Sequence, residues 1–396
     1  MRNRKFHFCL PFLVSSVTMV VGLAGCDAEM QPTQPDVNEL TSQQVVAGAR
    51  GITGGENHSC AIKPNSSVVC WGRNNAGQLG DGTFSNRSAP VQVIGLTNVV
   101  SVAAGRFHTC AIRTDGTARC WGSNSSGQLG RIGSPSGTPV AVSGLTGAVS
   151  VSVGAYHSCV RLGNGGARCW GMNLYGQLGN GTTSNSSVPV AVSGLTAASS
   201  VEAGWFHSCA VRTDGTARCW GRGSSGELGN GGISNRTTPA VVSGLAGAVD
   251  IDGGGSHTCA MRSDGTTRCW GDNSSGQLGN GSTKSSLVPV AVSGLSAVTD
   301  ISAGGGHSCA VRSSGDVRCW GGGSFGQLGN GAMTSRSAPV GVSGIATAAR
   351  IGTGGNHSCT ILANDTARCW GYNLSAQLGN GSYTSTSTAT QVANYP

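Results

Sequence analysis

Short apolar alternations, separated by glycine-rich turns, run from about residue 46 to the end of the chain and return in the same order seven times. One period shows the elements. Val100 to Ala103 alternates small apolar side chains; His108 to Arg113 and Thr117 to Trp121 flank an Asp115-Gly116 turn; and Val140 to Val142 follows Pro139, a residue tolerated at the start or edge of a strand. The pattern predicts four short strands per unit. The histidine of the unit recurs at positions 58, 108, 157, 207, 257, 307 and 357, a period that belongs to stacked or radial repeats. Seven such units predict an all-β fold, a seven-bladed β-propeller of four-stranded antiparallel blades, whose closure protects the sheet edges.

Composition agrees with this reading. The 396 residues include 66 Gly, with 11% charged and 5% aromatic residues, which suits many strands joined by tight turns and is unlike a helical protein. The net charge of +8 is moderate, and the basic residues recur at fixed repeat positions instead of clustering. No nucleic-acid partner is expected.

The first residues carry an address. Arg2, Arg4 and Lys5 precede an apolar stretch from Phe8 to Leu23, and small residues lead to Cys26. Leu23-Ala24-Gly25-Cys26 resembles the lipobox of bacterial lipoproteins, which implies a signal peptide over residues 1–25 and acylation of Cys26. An ordinary cleaved signal peptide and a signal anchor are the alternatives. Residues 26–45 then read as the lipidated cysteine and a flexible tether, polar and broken by Pro32 and Pro35. Residues 46–396 read as the propeller.

Each unit carries Gly-x-x-His-Ser/Thr-Cys, then Cys-Trp-Gly, then a run such as Gly176-Gln177-Leu178-Gly179-Asn180-Gly181. This pattern resembles the repeat of the regulator of chromosome condensation family over residues 46 to 396. Departures are local: Glu227 stands for the glutamine, Arg131 breaks the Asn-Gly of the second unit, and Ala376 replaces a glycine in the last. The family name suggests guanine-nucleotide exchange, but the family also includes secreted propellers, among them an inhibitor of β-lactamases. An exchange factor needs a cytosolic GTPase, which an exported chain does not meet.

Fourteen of the 16 cysteines form pairs ten residues apart: Cys60 and Cys70, Cys110 and Cys120, Cys159 and Cys169, Cys209 and Cys219, Cys259 and Cys269, Cys309 and Cys319, Cys359 and Cys369. A three-residue loop with glycine in the left-handed region sets Cys110 opposite Cys120, within reach of a disulfide. Each unit is therefore expected to staple its own hairpin. Zinc held by His-x-Cys and Cys is the competing reading; each unit offers only three such ligands, so no metal and no cofactor is expected.

A histidine or tryptophan present in every unit serves what every unit needs. The histidines are expected to tie the first strand's turn to neighbouring backbone, and the tryptophans to pack between blades. Gly321-Gly322-Gly323-Ser324-Phe325-Gly326 fits a dinucleotide loop and a nucleophile elbow by chance, since no helix follows. No carboxylate pair stands apart from the repeat pattern.

What departs from the repeat is aromatic. Phe84, Phe107, Tyr156, Tyr175, Trp205, Phe206 and Phe325 fall in the first-to-second or third-to-fourth strand loops, which emerge at one end of each blade. They mark a candidate binding face, with capping of the central opening as the alternative role. The leading expectation is a monomeric, non-enzymatic binding protein of the cell envelope, anchored by its N-terminal lipid on the periplasmic or cell-surface side, that captures a protein partner. A propeller lyase or hydrolase with a site at the central opening comes second, and an exchange factor third.

Overall fold

The computed structural model describes residues 51–395. The signal, the Cys26 acylation site and the tether lie outside the described residues.

The described chain forms 28 strands in seven four-stranded antiparallel sheets, each built from consecutive strands. In the second blade these are Val99–Ala104, His108–Arg113, Ala118–Gly122 and Ser136–Ala141. First strands of neighbouring blades lie against one another, whereas the fourth strand is half-exposed along its length, so the first strand is innermost and the fourth outermost. The fourth strand begins earlier than the sequence suggests, at Ser136 instead of Val140, and Pro139 lies inside it. An outermost strand has one row of backbone groups facing solvent, and there a missing N–H costs nothing.

The second-to-third strand hairpin sets the register. Gly116 has φ 73°, its N–H reaches the Arg113 carbonyl at 2.9 Å, and Arg113 N–H reaches Thr117 O at 3.0 Å. Cys110 then opposes Cys120, and in all seven blades the two cysteines ten residues apart form a disulfide with Cα atoms 4.0 to 4.1 Å apart. In the first and last blades Ser66 and Asp365 take the left-handed position that glycine holds elsewhere.

The core is seven similar clusters between blades, not one. Between the second and third blades it joins Cys110, Ile112, Leu129 and Leu145 to Val151, Val160 and Trp170. The seam is built the same way: Ile361, Leu378, Val392 and Tyr395 of the last blade meet Ile52, Ala61 and Trp71 of the first. Both ends of the propeller thus meet at one seam by packing, and neither blade borrows a strand from the other.

A hydrogen-bond relay runs the whole circle. His58 Nε2 meets Thr109 Oγ1 at 2.9 Å, and the same bond recurs from each blade to the next, ending with His357 to Ser59 at 2.8 Å. Each hydroxyl donates to a backbone carbonyl of the blade before it, as Thr109 does to Gln78 O at 2.9 Å, and the tryptophan indole donates to that same carbonyl. The histidines therefore reach a hydroxyl directly and the neighbouring backbone only through it, one step further than the sequence implies. Burial holds six imidazoles at a pKa of about 3 and His257 at about 4, so all seven are neutral. The ring packs on the glycine of Gly-x-x-His: a Cβ on Gly204 would lie 2.3 Å from His207 Cε1.

Candidate functional site

In an up-and-down blade the Gly-x-x-His turns and the long third-to-fourth strand loops emerge at one end. There Phe107, Tyr156, Phe206 and Tyr175 form a continuous arc over the second to fourth blades. Ring centroids are 6.2 Å apart from Phe107 to Tyr156, 6.4 Å from Tyr156 to Phe206 and 5.7 Å from Tyr175 to Phe206. All four rings are half-buried.

Three arginines lie over the arc. Arg73 and Arg106 sit 5.3 and 5.1 Å from the Phe107 centroid, and Arg222 sits 5.0 Å from that of Phe206. Arg106 Nε pairs with Glu56 at 2.9 Å and its Nη1 donates to the Tyr156 hydroxyl at 3.1 Å. Burial opposes the charge on Arg106, but Glu56 and Tyr156 outweigh it and hold its pKa above the ordinary arginine value. Arg222 donates to Glu227 Oε1 at 2.6 Å, to Gly255 O at 2.8 Å and to Ser256 Oγ at 2.6 Å. This explains why the fourth unit has glutamate where the others have glutamine. Glu227 Oε2 keeps the turn bond from Ser225 N–H, as Gln78 Oε1 does from Ala76 N–H, and its second oxygen neutralises Arg222.

Trp205 stands apart from the arc. A Cβ on Gly305 would lie 3.0 Å from its Cζ2, so the indole of the fourth blade reaches the turn of the sixth. Phe84, 57% exposed, packs instead toward Gly137 of the second blade, and Phe325 pairs with Tyr372 at 5.1 Å. The seven candidate residues thus divide into a four-ring arc, a contact from the fourth blade to the sixth and two separate contacts. The chance motif from Gly321 to Gly326 is a third-to-fourth strand turn, closed by Gly326 N–H to Gly323 O at 2.9 Å.

The inner strands hold a group that the sequence reading missed. Glu202, Asp250, Asp252 and Asp300 lie on the first strands of the fourth to sixth blades, which corrects the expectation that no carboxylates stand apart from the repeat. Residues about one period apart become neighbours only when the ring closes. Aligning the units by the third residue of the first strand exposes the signal: Ser101, Ser150 and Ser200 give way to Asp250 and Asp300.

These side chains cap the inner edge. Asp252 Oδ2 accepts Ala303 N–H and Asp300 Oδ2 accepts Ile351 N–H, both at 2.8 Å, where Ser152 Oγ takes Ala203 N–H at 2.9 Å two blades earlier. Burial, followed by the charge of Asp300, raises Asp250 to about 7; burial raises Asp252 and Asp300 to about 6. Burial and then Asp252 push Glu202 well above the usual carboxylate range. Among the described residues no group of His, Cys, Asp or Glu has the geometry to hold a metal ion.

The fold and its loops define a disulfide-stapled seven-bladed propeller with one aromatic face. An RCC1-like domain model matches residues 20–293, and models of the regulator of chromosome condensation (RCC1) repeat match 298–327 and 314–361. The chain belongs to the RCC1-like family. No curated protein sequence gives a significant match. Among solved structures, human WBSCR16 is similar with 23% identity and a TM-score of 0.74, covering 83% of this chain and 94% of that one. Prp20p from Saccharomyces cerevisiae is similar with 20% identity and a TM-score of 0.76, covering 89% of each chain. A structure of Kap60 bound to yeast RCC1 (Prp20) matches with 19% identity and a TM-score of 0.75, covering 96% of this chain and 91% of that one.

Proposed function

We propose that the protein captures a protein partner through the arc of Phe107, Tyr156, Phe206 and Tyr175. The observation that carries this reading is the contact between rings that the repeat does not require. In the fifth to seventh units Ser256, Gly306 and Asn356 stand where Phe107, Tyr156 and Phe206 stand in the second to fourth. Tyrosine, phenylalanine and arginine, half-buried and held by one another, are the residues that dominate protein interfaces. The yeast relative is described bound to Kap60, and Prp20p for its binding to Gsp1p and histones, which supports a protein as the partner.

In this reading the chain is exported and held by lipid at Cys26. Seven disulfides support an oxidising compartment. A catalytic site at the central opening has less support, because Asp252 and Asp300 spend acceptor oxygens on backbone N–H groups. Affinity capture from the native envelope fraction, with mass spectrometry of what is retained, tests the reading: a stoichiometric protein that the Phe107→Ala and Phe206→Ala chains fail to retain supports it. Equal retention by all chains contradicts it.

A further inference from the structure

We propose that the opposite face, which carries the second-to-third strand hairpins, lies on an anionic lipid surface. This goes beyond partner capture and stands without it. In the sequence the basic residues look evenly spread. The blade topology puts twelve of the 21 described Lys and Arg side chains at this one end.

In the seven segments running from the end of the second strand to the start of the third, twelve side chains are Lys or Arg and five are Asp. Four of those carboxylates are spent within their own hairpins: Asp115, Asp214 and Asp264 pair with Arg113, Arg212 and Arg262 at 2.9, 2.6 and 2.7 Å, and Asp316 pairs with Arg312 and Arg318 at 3.5 and 2.8 Å. Arg119, Arg161, Arg168, Arg218, Arg268 and Arg368 have no carboxylate within ion-pair distance among the described residues. Arg119, Arg168, Arg218, Arg268 and Arg368 hold the matching third-strand position in five of the seven blades, Arg161 lies on the second strand of the third blade, and all six are partly exposed. The connections from each fourth strand to the next first strand emerge at this same end and contain no charged residue.

The shape of the array selects the partner. A rod-like polyanion would cross a ring along one chord, whereas a flat anionic surface meets every blade at once. Chain direction agrees: the first strand runs away from this face, and Gly51, whose carbonyl accepts Ile62 N–H at 3.1 Å, lies beside the first hairpin. The described chain therefore enters the first blade at the basic face.

Vesicle sedimentation of the Cys26→Ser chain, which cannot be acylated there, tests this. The vesicles are phosphatidylcholine alone, or with about one lipid in three replaced by phosphatidylglycerol, at low salt and at about 0.5 M salt. One variant is Arg119→Gln/Arg218→Gln/Arg268→Gln; its control, Arg236→Gln/Lys284→Gln/Arg336→Gln, removes equal charge from exposed positions on the aromatic side. Each basic residue near an anionic bilayer is worth about fivefold in partitioning, so the first triple should weaken binding roughly a hundredfold and the control little. Binding should need the anionic lipid and fade at high salt. Both triples should keep the parent's melting temperature within a few degrees. No binding at low salt would overturn the proposal, as would equal loss from both triples. Heparin binding as tight as vesicle binding, with the same dependence on the first triple, would overturn it in favour of polymers.

Discussion

Changing Ser208 to alanine tests how the blades are held together. The Ser208 hydroxyl has one hydrogen, which it gives to Gln177 O at 2.9 Å, so its contact with His157 Nε2 at 2.9 Å must run from the imidazole N–H to the hydroxyl oxygen. In Ser208→Ala the carbonyl keeps the Trp220 indole, also at 2.9 Å, but His157 Nε2–H is left without an acceptor. That ring is fully buried and its Nδ1 already lacks a partner. A buried donor left unsatisfied costs about 1–3 kcal/mol, and the lost hydrogen bond adds roughly 1 kcal/mol, so the expected loss is about 2–4 kcal/mol. For a domain of this size that is a fall of roughly 3 to 6 °C in melting temperature, measured by scanning calorimetry without reductant. Ser59→Ala should lose a similar amount, because Ser59 bridges His357 and Gln377 O across the seam at 2.8 and 2.9 Å. In a His157→Leu background, where no donor is orphaned, Ser208→Ala should cost less than half as much. A loss below about 0.5 kcal/mol at both sites would refute the relay as a source of cohesion. A loss at Ser208 alone would refute a closed ring.

Three further outcomes are expected. Because the fold keeps the seven histidines neutral at a pKa of about 3 to 4 against an ordinary 6.5, their contribution is complete above pH 6.5 and is lost as pH falls toward 4; the raised Asp250, Asp252 and Asp300 work the other way, gaining stability as pH falls below about 7 to 6. Seven bases outweigh the acids, so melting temperature should fall on acidification from pH 7 to 4.5, and Asp300→Asn, which keeps the acceptor for Ile351 N–H, should raise it at pH 8 but not at pH 5. Gly204→Ala should destabilise by more than about 2 kcal/mol in denaturant titrations, because its Cβ collides with His207, while Gly306→Ala, with nothing within 4 Å of the added carbon, should be near neutral. Replacing both Cys209 and Cys219 with alanine should cost about 2.5–3 kcal/mol by loop entropy in the same titrations; an unchanged midpoint would mean that the cross-link adds nothing to a hairpin already fixed by its neighbours.

Much of the fold was legible because its determinants are local. A hairpin with Asp115-Gly116 at its tip dictates that Cys110 faces Cys120, and this logic needs no knowledge of other blades. The start of the fourth strand was less legible: Ser136 to Pro139 carry no alternation, and the strand forms because Gly122 and Cys120 offer it an edge. Of the candidate site, the aromatic positions were visible as departures from the repeat, but not their division. Phe206 and Trp205 are adjacent in sequence, yet one joins the arc and the other reaches Gly305 of the sixth blade. What the sequence hid most is what closure creates. The Asp250 and Asp300 neighbours, the arginine ring and the histidine relay all depend on residues about 50 apart becoming adjacent.

The most direct test of the aromatic face is isothermal titration of the captured partner against Phe107→Ala, Tyr156→Ala, Phe206→Ala and Tyr175→Ala, with Phe84→Ala as the exposed aromatic off the arc. The account predicts unchanged melting within a few degrees, a loss of roughly 1 to 4 kcal/mol in binding at one or more arc positions, and parent affinity for Phe84→Ala. Parent affinity in all four arc variants, or unfolding of all four, would contradict it and assign the arc to structure alone.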